Sequence, residues 1–158
     1  MKVKVAATLT NSWGEYEDGY SAEFDSLELA VECVNTRRLS GSPDCTMLTT
    51  FELYDNKGKL AYQGDSQYLK ELFEIEKEER ETFKNLRGEQ FSEEELIDFL
   101  YDVEIWVVER SNIDDEYDSD YPVGYFEGTQ KQVIDYIEAE NEKTDRFIHH
   151  YVFVEKLN

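Results

Sequence analysis

The chain has 158 residues and carries 37 acidic against 16 basic side chains, a formal net charge of −21 at pH 7. Aromatic residues make up 14% of the sequence, and this apolar material excludes the disorder that is typical of aromatic-poor polyanions. Because phosphate repels a polyanion, the charge argues against direct binding to nucleic acid or to an anionic membrane. A cationic surface is the expected partner.

Targeting and redox features point to one compartment. No apolar run is long enough to span a membrane, and residues 1–13 alternate like a strand instead of forming the apolar core of a signal peptide. Cys33 and Cys45 lack CxxC spacing and are predicted to be reduced, structural thiols. These features predict a cytoplasmic protein.

The first part of the chain reads as alternating strands and a helix. Apolar alternation predicts a strand over residues 2–10, and residues 15–20 follow as an acidic turn that contains tyrosine. Residues 20–24 can form a short second strand. A helix is predicted next, with Asp25 or Ser26 as its N-cap.

The middle of the chain predicts two hairpins. Strand-forming residues flank Asp-Asn-Lys-Gly at residues 55–58, where glycine can adopt the positive φ that a β-turn needs. Apolar residues then recur at helical spacing as far as Gly88, the predicted end of a helix. Ser92 and Glu95 match a capping box before a shorter helix. Residues 65–101 are therefore predicted to form a helical hairpin.

Strand composition returns at residues 103–109, directly before the most acidic stretch of the chain, residues 113–125. Five carboxylates crowd this stretch with no base among them: Asp114, Asp115, Glu116, Asp118 and Asp120. A short strand, a helix capped by Thr129 and a closing strand over residues 147–154 are predicted to follow.

Both ends of the chain follow one plan: strand, acidic turn with tyrosines, short strand, capped helix, loop and long strand. We therefore predict an α+β fold in which two related ββαβ-like units form antiparallel sheets, with the helical hairpin inserted between them. The predicted segments, expected to share one compact domain, are 1–64 (with an extra hairpin strand), 65–101 and 102–158. The underlying alignment sets Tyr16 and Tyr20 against Tyr117 and Tyr121, Ala30, Val31 and Val34 against Val133, Ile134 and Ile137, and Phe51 and Leu53 against Val152 and Val154.

The charges are unevenly distributed along the chain. Arg110 is the only base between Arg87 and Lys131, and no base lies between Lys4 and Arg37. Folded surfaces normally mix the two signs, so long single-sign tracts indicate a field that steers a partner. Duplex DNA carries about one negative charge per 1.7 Å of its axis, a density that carboxylates on adjacent turns and strands can approach. Solubility alone is the simpler explanation of the same tracts.

Metal and catalytic signatures are weak. Acids from Glu116 to Glu127 occupy the first, third, fifth and twelfth places of an EF-hand-like loop, but Tyr121 stands where that loop requires glycine. His149 and His150 are adjacent on a predicted strand, so they point to opposite faces and cannot bind one ion. No P-loop, GxSxG, HExxH or dinucleotide motif occurs. We predict no enzyme activity, no metal and no cofactor.

In size and acidity the chain is similar to the small inhibitors encoded by phages and mobile elements, including DNA-mimicking anti-restriction and anti-CRISPR proteins. The resemblance is one of class and implies no residue roles. We predict a non-enzymatic inhibitor that binds the basic nucleic-acid-binding surface of a host protein, such as a nuclease or a helicase-like effector. The predicted partner-binding residues are Asp114, Asp115, Glu116, Tyr117, Asp118, Asp120 and Tyr121, with Glu15, Tyr16, Glu17 and Asp18 as a second patch. The tyrosines beside these charges, including Tyr20 and Tyr125, suit either interface anchors or packing beneath the turns.

Two other classes fit the same composition. An immunity protein against a basic toxin nuclease would carry the same charge and differ only in its target, so a neighbouring toxin gene would favour it. An acidic structural or interaction module would be charged for solubility alone, and neutralising Asp114, Asp115 and Asp118 would leave its affinities unchanged.

Overall fold

A computed structural model describes residues 1–10, 16–36, 46–112, 121–144 and 147–155. The elements in these ranges are, in chain order, β1 (Lys2–Thr10), β2 (Tyr16–Phe24), α1 (Leu27–Thr36), β3 (Thr46–Tyr54), β4 (Leu60–Asp65), α2 (Ser66–Arg87), a 3₁₀ turn (Gly88–Gln90), α3 (Glu93–Tyr101), β5 (Glu104–Asn112), β6 (Tyr121–Gly128), α4 (Gln130–Glu142) and β7 (Phe147–Glu155). The fold is α+β with two antiparallel sheets, which confirms the predicted fold class.

The chain divides into two compact units, Met1–Leu96 and Ile97–Asn158. The first contains β1 to β4 with α1 and α2, and the second contains β5 to β7 with α4. The boundary falls inside α3 (Glu93–Tyr101). The finer division into segments 1–64, 65–101 and 102–158 stays a prediction.

The first unit is built on a four-stranded sheet in the order β2-β1-β3-β4. Alternation along β1 buries Val3 and Val5 on one face, and the register sets them opposite the buried Leu53 and Phe51 of β3. Helix α1 lies against β1 and β2, and α2 lies against β3 and β4. The apolar face of this sheet therefore forms the core of the unit.

The second unit has a three-stranded sheet in the order β6-β5-β7. Trp106 and Val108 of β5 pack with Val133 and Ile137 of α4, and Phe126 of β6 joins this cluster. The buried indole Nε1 of Trp106 donates a hydrogen bond to the carbonyl oxygen of Gly128, at 3.1 Å. The face of β5 that carries Trp106 and Val108 is thus covered by α4.

The helix ends follow the residues that the sequence marks. Thr129 Oγ1 accepts from the backbone N–H of Gln132 at 3.1 Å, and Gln132 Oε1 accepts from the N–H of Thr129 at 2.9 Å, which is a capping box. Ser26 caps α1, since its Oγ accepts from the N–H of Leu29. Gly88 ends α2 at a φ of 56°, a conformation that favours glycine.

The two units share one connectivity. In each, the first strand is central, the second pairs antiparallel with it on one side, and the third pairs antiparallel on the other side after a helix. Because both outer strands oppose the central one, they run parallel to each other and the helix joins them across it. This arrangement confirms the predicted pair of related ββαβ units.

The strand register changes the residue alignment between the units. When the buried faces of the central strands are matched, Val5 corresponds to Trp106. Val5 lies between Ala22 and Phe51, and Trp106 lies between Phe126 and Phe153. Phe51 therefore corresponds to Phe153, and the alignment with Val152 was wrong by one residue.

The tyrosine alignment also changes, whereas the helix alignment is kept. Tyr20 pairs with Ala7 in the first unit, and the equivalent partner of Val108 in the second is Gly124, not Tyr121. In the helices, the buried Ala30 and Val34 match the buried Val133 and Ile137, as predicted. Helical spacing identifies a buried stripe, but strand alternation alone permits a shift of one residue.

The second strand of each unit is longer than predicted. β2 begins at Tyr16, so Tyr16, Glu17 and Asp18 lie in a strand and not in the predicted turn. The cause is that β1 presents its backbone as far as Thr10, which pairs with Tyr16, and this pairing outweighs the low strand propensity of acidic residues. β6 likewise begins at Tyr121 and contains Pro122, which an edge strand tolerates.

Candidate protein-binding surface

The predicted acidic residues fall largely at the edge of what the structure describes. Asp114, Asp115, Glu116, Tyr117, Asp118, Asp120 and Glu15 lie outside the described residues. Tyr121 opens β6, opposite Arg110 of β5. Tyr16, Glu17 and Asp18 lie in β2, where Asp18 pairs with Leu9 of β1.

Both acidic stretches lie at or next to the connection between the first two strands of their unit. The first begins in the link between β1 and β2, where Thr10 pairs with Tyr16, and the second is the link between β5 and β6, where Arg110 pairs with Tyr121. Each link joins the first and second strands of its unit. The two stretches lie next to the same connection but not at equivalent positions, because Glu17 and Asp18 already belong to β2 whereas residues 113–120 precede β6.

Many bases of the described residues are held by neighbouring acids. Lys2 contacts Asp25 and Glu23, and on α4 Lys131 contacts Asp135 at 3.1 Å. Lys143 contacts Glu140. Each exposed pair contributes little to stability. Because its two charges lie side by side, the pair also contributes little to the long-range electrostatic field. The surplus of acids is what remains for long-range interactions.

The helical hairpin shows the same pairing within the first unit. Arg80 of α2 contacts Glu76 at 2.9 Å and Glu93 at the start of α3, and Arg87 contacts Glu95. The rings of Phe83 and Phe91 lie edge to face, with their centroids 6.3 Å apart. Arg80 and Arg87 of α2 thus pair with acids inside the hairpin.

The ion pair between Lys2 and Asp25 also shifts two pKa values. A hydrogen bond from Lys2 to Asp25 raises the pKa of the lysine and lowers the pKa of the carboxyl. On α4, the hydrogen bond to Glu140 raises the pKa of Lys143. All these side chains are well exposed or nearly so, so the shifts reflect local pairing and not a buried reactive group.

A metal or catalytic site needs clustered ligands or an enclosed cavity. Within the described residues, no group of three or more histidine, cysteine, aspartate or glutamate residues is placed to hold a metal ion. Two open depressions, of about 460 and 350 Å³, lie over the polar side of the first sheet. The second is lined by Lys2, Lys4 and Tyr54, whose polar ends already contact Asp25, the Tyr54 ring and Glu52 respectively. No helix in the described ranges is long and apolar enough to cross a membrane.

The sequence reading missed an apolar face on the second sheet. Ile105 and Val107 of β5 are only partly buried, Tyr125 of β6 is 80% exposed, and Val123 is 48% exposed. The signal was the unbroken run Ile105-Trp106-Val107-Val108, which places apolar side chains on both sides of β5. Helix α4 covers only the side of Trp106 and Val108.

Comparisons of the chain with protein-family models, with curated proteins and with solved structures found no match, so a function has to be argued from this surface itself.

Proposed function

We propose that this protein is a non-enzymatic acidic inhibitor that binds the basic, nucleic-acid-binding surface of another protein by presenting a DNA-like field. The observation that carries the proposal is the placement of the charge. A surplus of acids, 37 against 16 bases, includes two acidic stretches that begin at the same connection in two related units. The related connectivity of the two units thus brings an acidic stretch next to the same connection in each.

Strand spacing limits which acids can act together. Side chains on one face of an antiparallel strand recur at about 6.8 Å, whereas phosphates recur at about 3.4 Å along one DNA strand. Acids from several strands and from the links between them must therefore combine to meet a row of bases that normally contacts phosphates. Glu17 and Asp18 of β2 and the acids that precede Tyr121 are the residues proposed to do so.

The ion pairs of the described residues support a surface potential that is negative overall, and not one in which positive and negative patches alternate. Bases on α2 and α4 are held by acids one helical turn away or by the facing helix, so they screen the surplus only locally. Complementary charge raises association rates well above those of neutral partners and suppresses binding to acidic ones. The expected partner is a nuclease or helicase-like effector with a cation-lined groove.

The test is capture from the lysate of a candidate host, with three forms of the chain. One is unchanged, one carries Asp114→Asn, Asp115→Asn, Glu116→Gln, Asp118→Asn and Asp120→Asn, and one carries five neutral substitutions at exposed acids elsewhere. These control substitutions are Glu78→Gln, Glu81→Gln, Glu89→Gln, Glu94→Gln and Glu138→Gln.

The unchanged chain and the control should retain the same nucleic-acid-binding protein, and duplex DNA should displace it. The acidic-stretch variant should retain little of it. Capture should fall when salt rises from 0.1 to 1 M, because the Debye length falls from about 10 to about 3 Å. Retention that does not change with salt, with DNA or with the acidic-stretch substitutions would refute the proposal. A captured toxin nuclease would identify the protein as an immunity protein.

A further inference from the structure

The second sheet has a face that α4 leaves uncovered. Trp106 and Val108 of β5 pack against α4, so the alternating residues Ile105 and Val107 point to the other side. Val107 pairs with Tyr125 of β6 on one flank, and Val152 of β7 lies opposite it on the other. We call the surface of Ile105, Val107 and Tyr125 the outer face.

The first unit shows that the fold does not require apolar residues there. Matching the central strands and their partners sets Ile105 and Val107 against Lys4 and Ala6, and Tyr125 against Ser21. All three positions of the first unit are exposed, and Lys4 lies 4.9 Å over the ring of Tyr54. One connectivity therefore folds with this face solvated, and the apolar version in the second unit needs another explanation.

Acids border the outer face. Glu127 follows Tyr125 by two residues on β6 and pairs with Ile105, and Glu109 follows Val107 by two residues on β5. Both therefore lie on the same side of the sheet as the apolar centre. Asp120, the last acid of the acidic stretch, directly precedes Tyr121, the first residue of β6. An apolar centre with a charged rim is the usual anatomy of a protein interface.

The charges around the outer face indicate which kind of partner binds there. A second copy of this chain would place Glu109 and Glu127 against an equally acidic rim, and each chain carries a net charge of −21. Like charges placed face to face oppose association. A partner with an apolar patch ringed by lysine or arginine satisfies both the centre and the rim.

We propose that the outer face is the desolvated centre of the interface with the cationic partner, with Tyr125 as its anchor. Exposed tyrosine supplies a large, rigid surface with a polar tip, and such residues dominate binding energy at interfaces. The rim acids raise the association rate, and Tyr125 slows dissociation. The identity of the partner rests on the proposed function, but the docking role of the face does not.

The test uses two synthetic 18-residue helical peptides, one of lysine and leucine with the leucines on one face, and one with serine in place of each leucine. The full-length chain is compared with Tyr125→Ser, which installs the residue of the equivalent position in the first unit. Leu86→Ser is the matched control, because Leu86 is 79% exposed but belongs to α2. Affinities are measured by calorimetry at 0.15 M salt.

The unchanged chain and Leu86→Ser should bind the lysine–leucine peptide roughly tenfold more tightly than the lysine–serine peptide, and Tyr125→Ser should lose this difference. Circular dichroism should show the same melting curve for all three, since Tyr125 is 80% exposed. Equal affinity for both peptides, or equal losses in the Tyr125 and Leu86 variants, would overturn the docking role. A dimer in analytical ultracentrifugation that Tyr125→Ser dissociates would overturn the choice of partner.

The two proposals fail separately. If Tyr125→Ser has no effect while neutralisation of the acidic stretch still abolishes capture, the outer face is refuted and the inhibitor proposal stands. If Tyr125→Ser weakens binding but the captured proteins do not bind nucleic acid, the inhibitor proposal is refuted and the docking face stands.

Discussion

Adjacent residues of β5 serve opposite purposes. Trp106 is buried against α4 and bonded to the carbonyl of Gly128, whereas Val107 is only partly buried and pairs with the exposed Tyr125. The period of two along a strand is what separates the core from a surface available to a partner. Substitutions one residue apart should therefore affect different properties.

Trp106→Phe should destabilise the protein by about 1–3 kcal/mol, because it removes the buried hydrogen bond to Gly128 and part of a buried ring. Urea unfolding measures the change. Tyr125→Phe is the control on the neighbouring strand, and its effect should be close to zero because the hydroxyl belongs to an exposed side chain. Equal stabilities for all three proteins would contradict the assignment of the core.

Thr129→Ala should cost about 1 kcal/mol of stability, because it removes the side-chain acceptor that caps α4. Thr129→Ser keeps the acceptor and should recover most of the loss. The comparison of urea midpoints separates the cap from the packing of the threonine methyl group. A serine variant as unstable as the alanine variant would show that burial, and not the cap, is what matters at this position.

The pair of Lys2 and Asp25 predicts a pH dependence. Lys2 lowers the pKa of Asp25 from its ordinary value of 3.8, so the carboxyl contributes stability above that value and loses it as the pH falls through its lower folded pKa. Asp25→Asn should therefore be less stable than the unchanged chain at pH 6, and the difference should vanish in acid. Thermal unfolding from pH 6 to pH 2 would record it, and a difference that grows in acid would contradict the pairing.

At the scale of elements, local chemistry predicted most of the structure. The positions of α1, α2 and α4 follow from apolar spacing and from the residues at their ends, such as Thr129 and Gly88. The start of β2 could not be predicted in this way. Residues 16–18 form a strand because they pair with β1, and the local sequence pattern does not contain that information. The unbroken apolar run of β5 predicted a strand but not which of its faces α4 covers, and so the outer face was missed.

The turn between α2 and α3 offers a test of backbone geometry. Gly88→Ala should destabilise the protein by about 1–2 kcal/mol, because residue 88 has a φ of 56° that a side chain disfavours. Gly124→Ala is the matched control, since an added methyl group there also meets open space but without a positive φ. Urea unfolding should separate the two, and equal stabilities would place the end of α2 elsewhere.

At the scale of the whole molecule, the chain carries more acidic side chains than its bases can pair with. Several of the described bases pair with nearby acids, and the remaining negative charge repels itself, which lowers the stability of the compact state. Such a cost is expected where the field itself has a function. The sequence alone predicted this surplus and both acidic stretches, and both lie next to the connection between the first and second strands of a unit.

Moderate salt should therefore stabilise the protein. Raising sodium chloride from about 0.01 to about 0.1 M shortens the Debye length from about 30 to about 10 Å and weakens the self-repulsion. The melting temperature should rise over this range, and it should rise less in the variant with five neutral substitutions in the acidic stretch. A melting temperature that falls with salt would mean that attractive pairs outweigh the repulsion.

The most direct test of the central claim is the association rate constant between the chain and its captured basic partner, measured at several salt concentrations with and without duplex DNA. We expect association to slow steeply with salt, to drop about tenfold when Asp114, Asp115, Glu116, Asp118 and Asp120 are neutralised, and to stop when DNA fills the partner's groove. A rate constant that neither salt nor these substitutions change, or a partner that holds DNA and this chain at the same time, would contradict it.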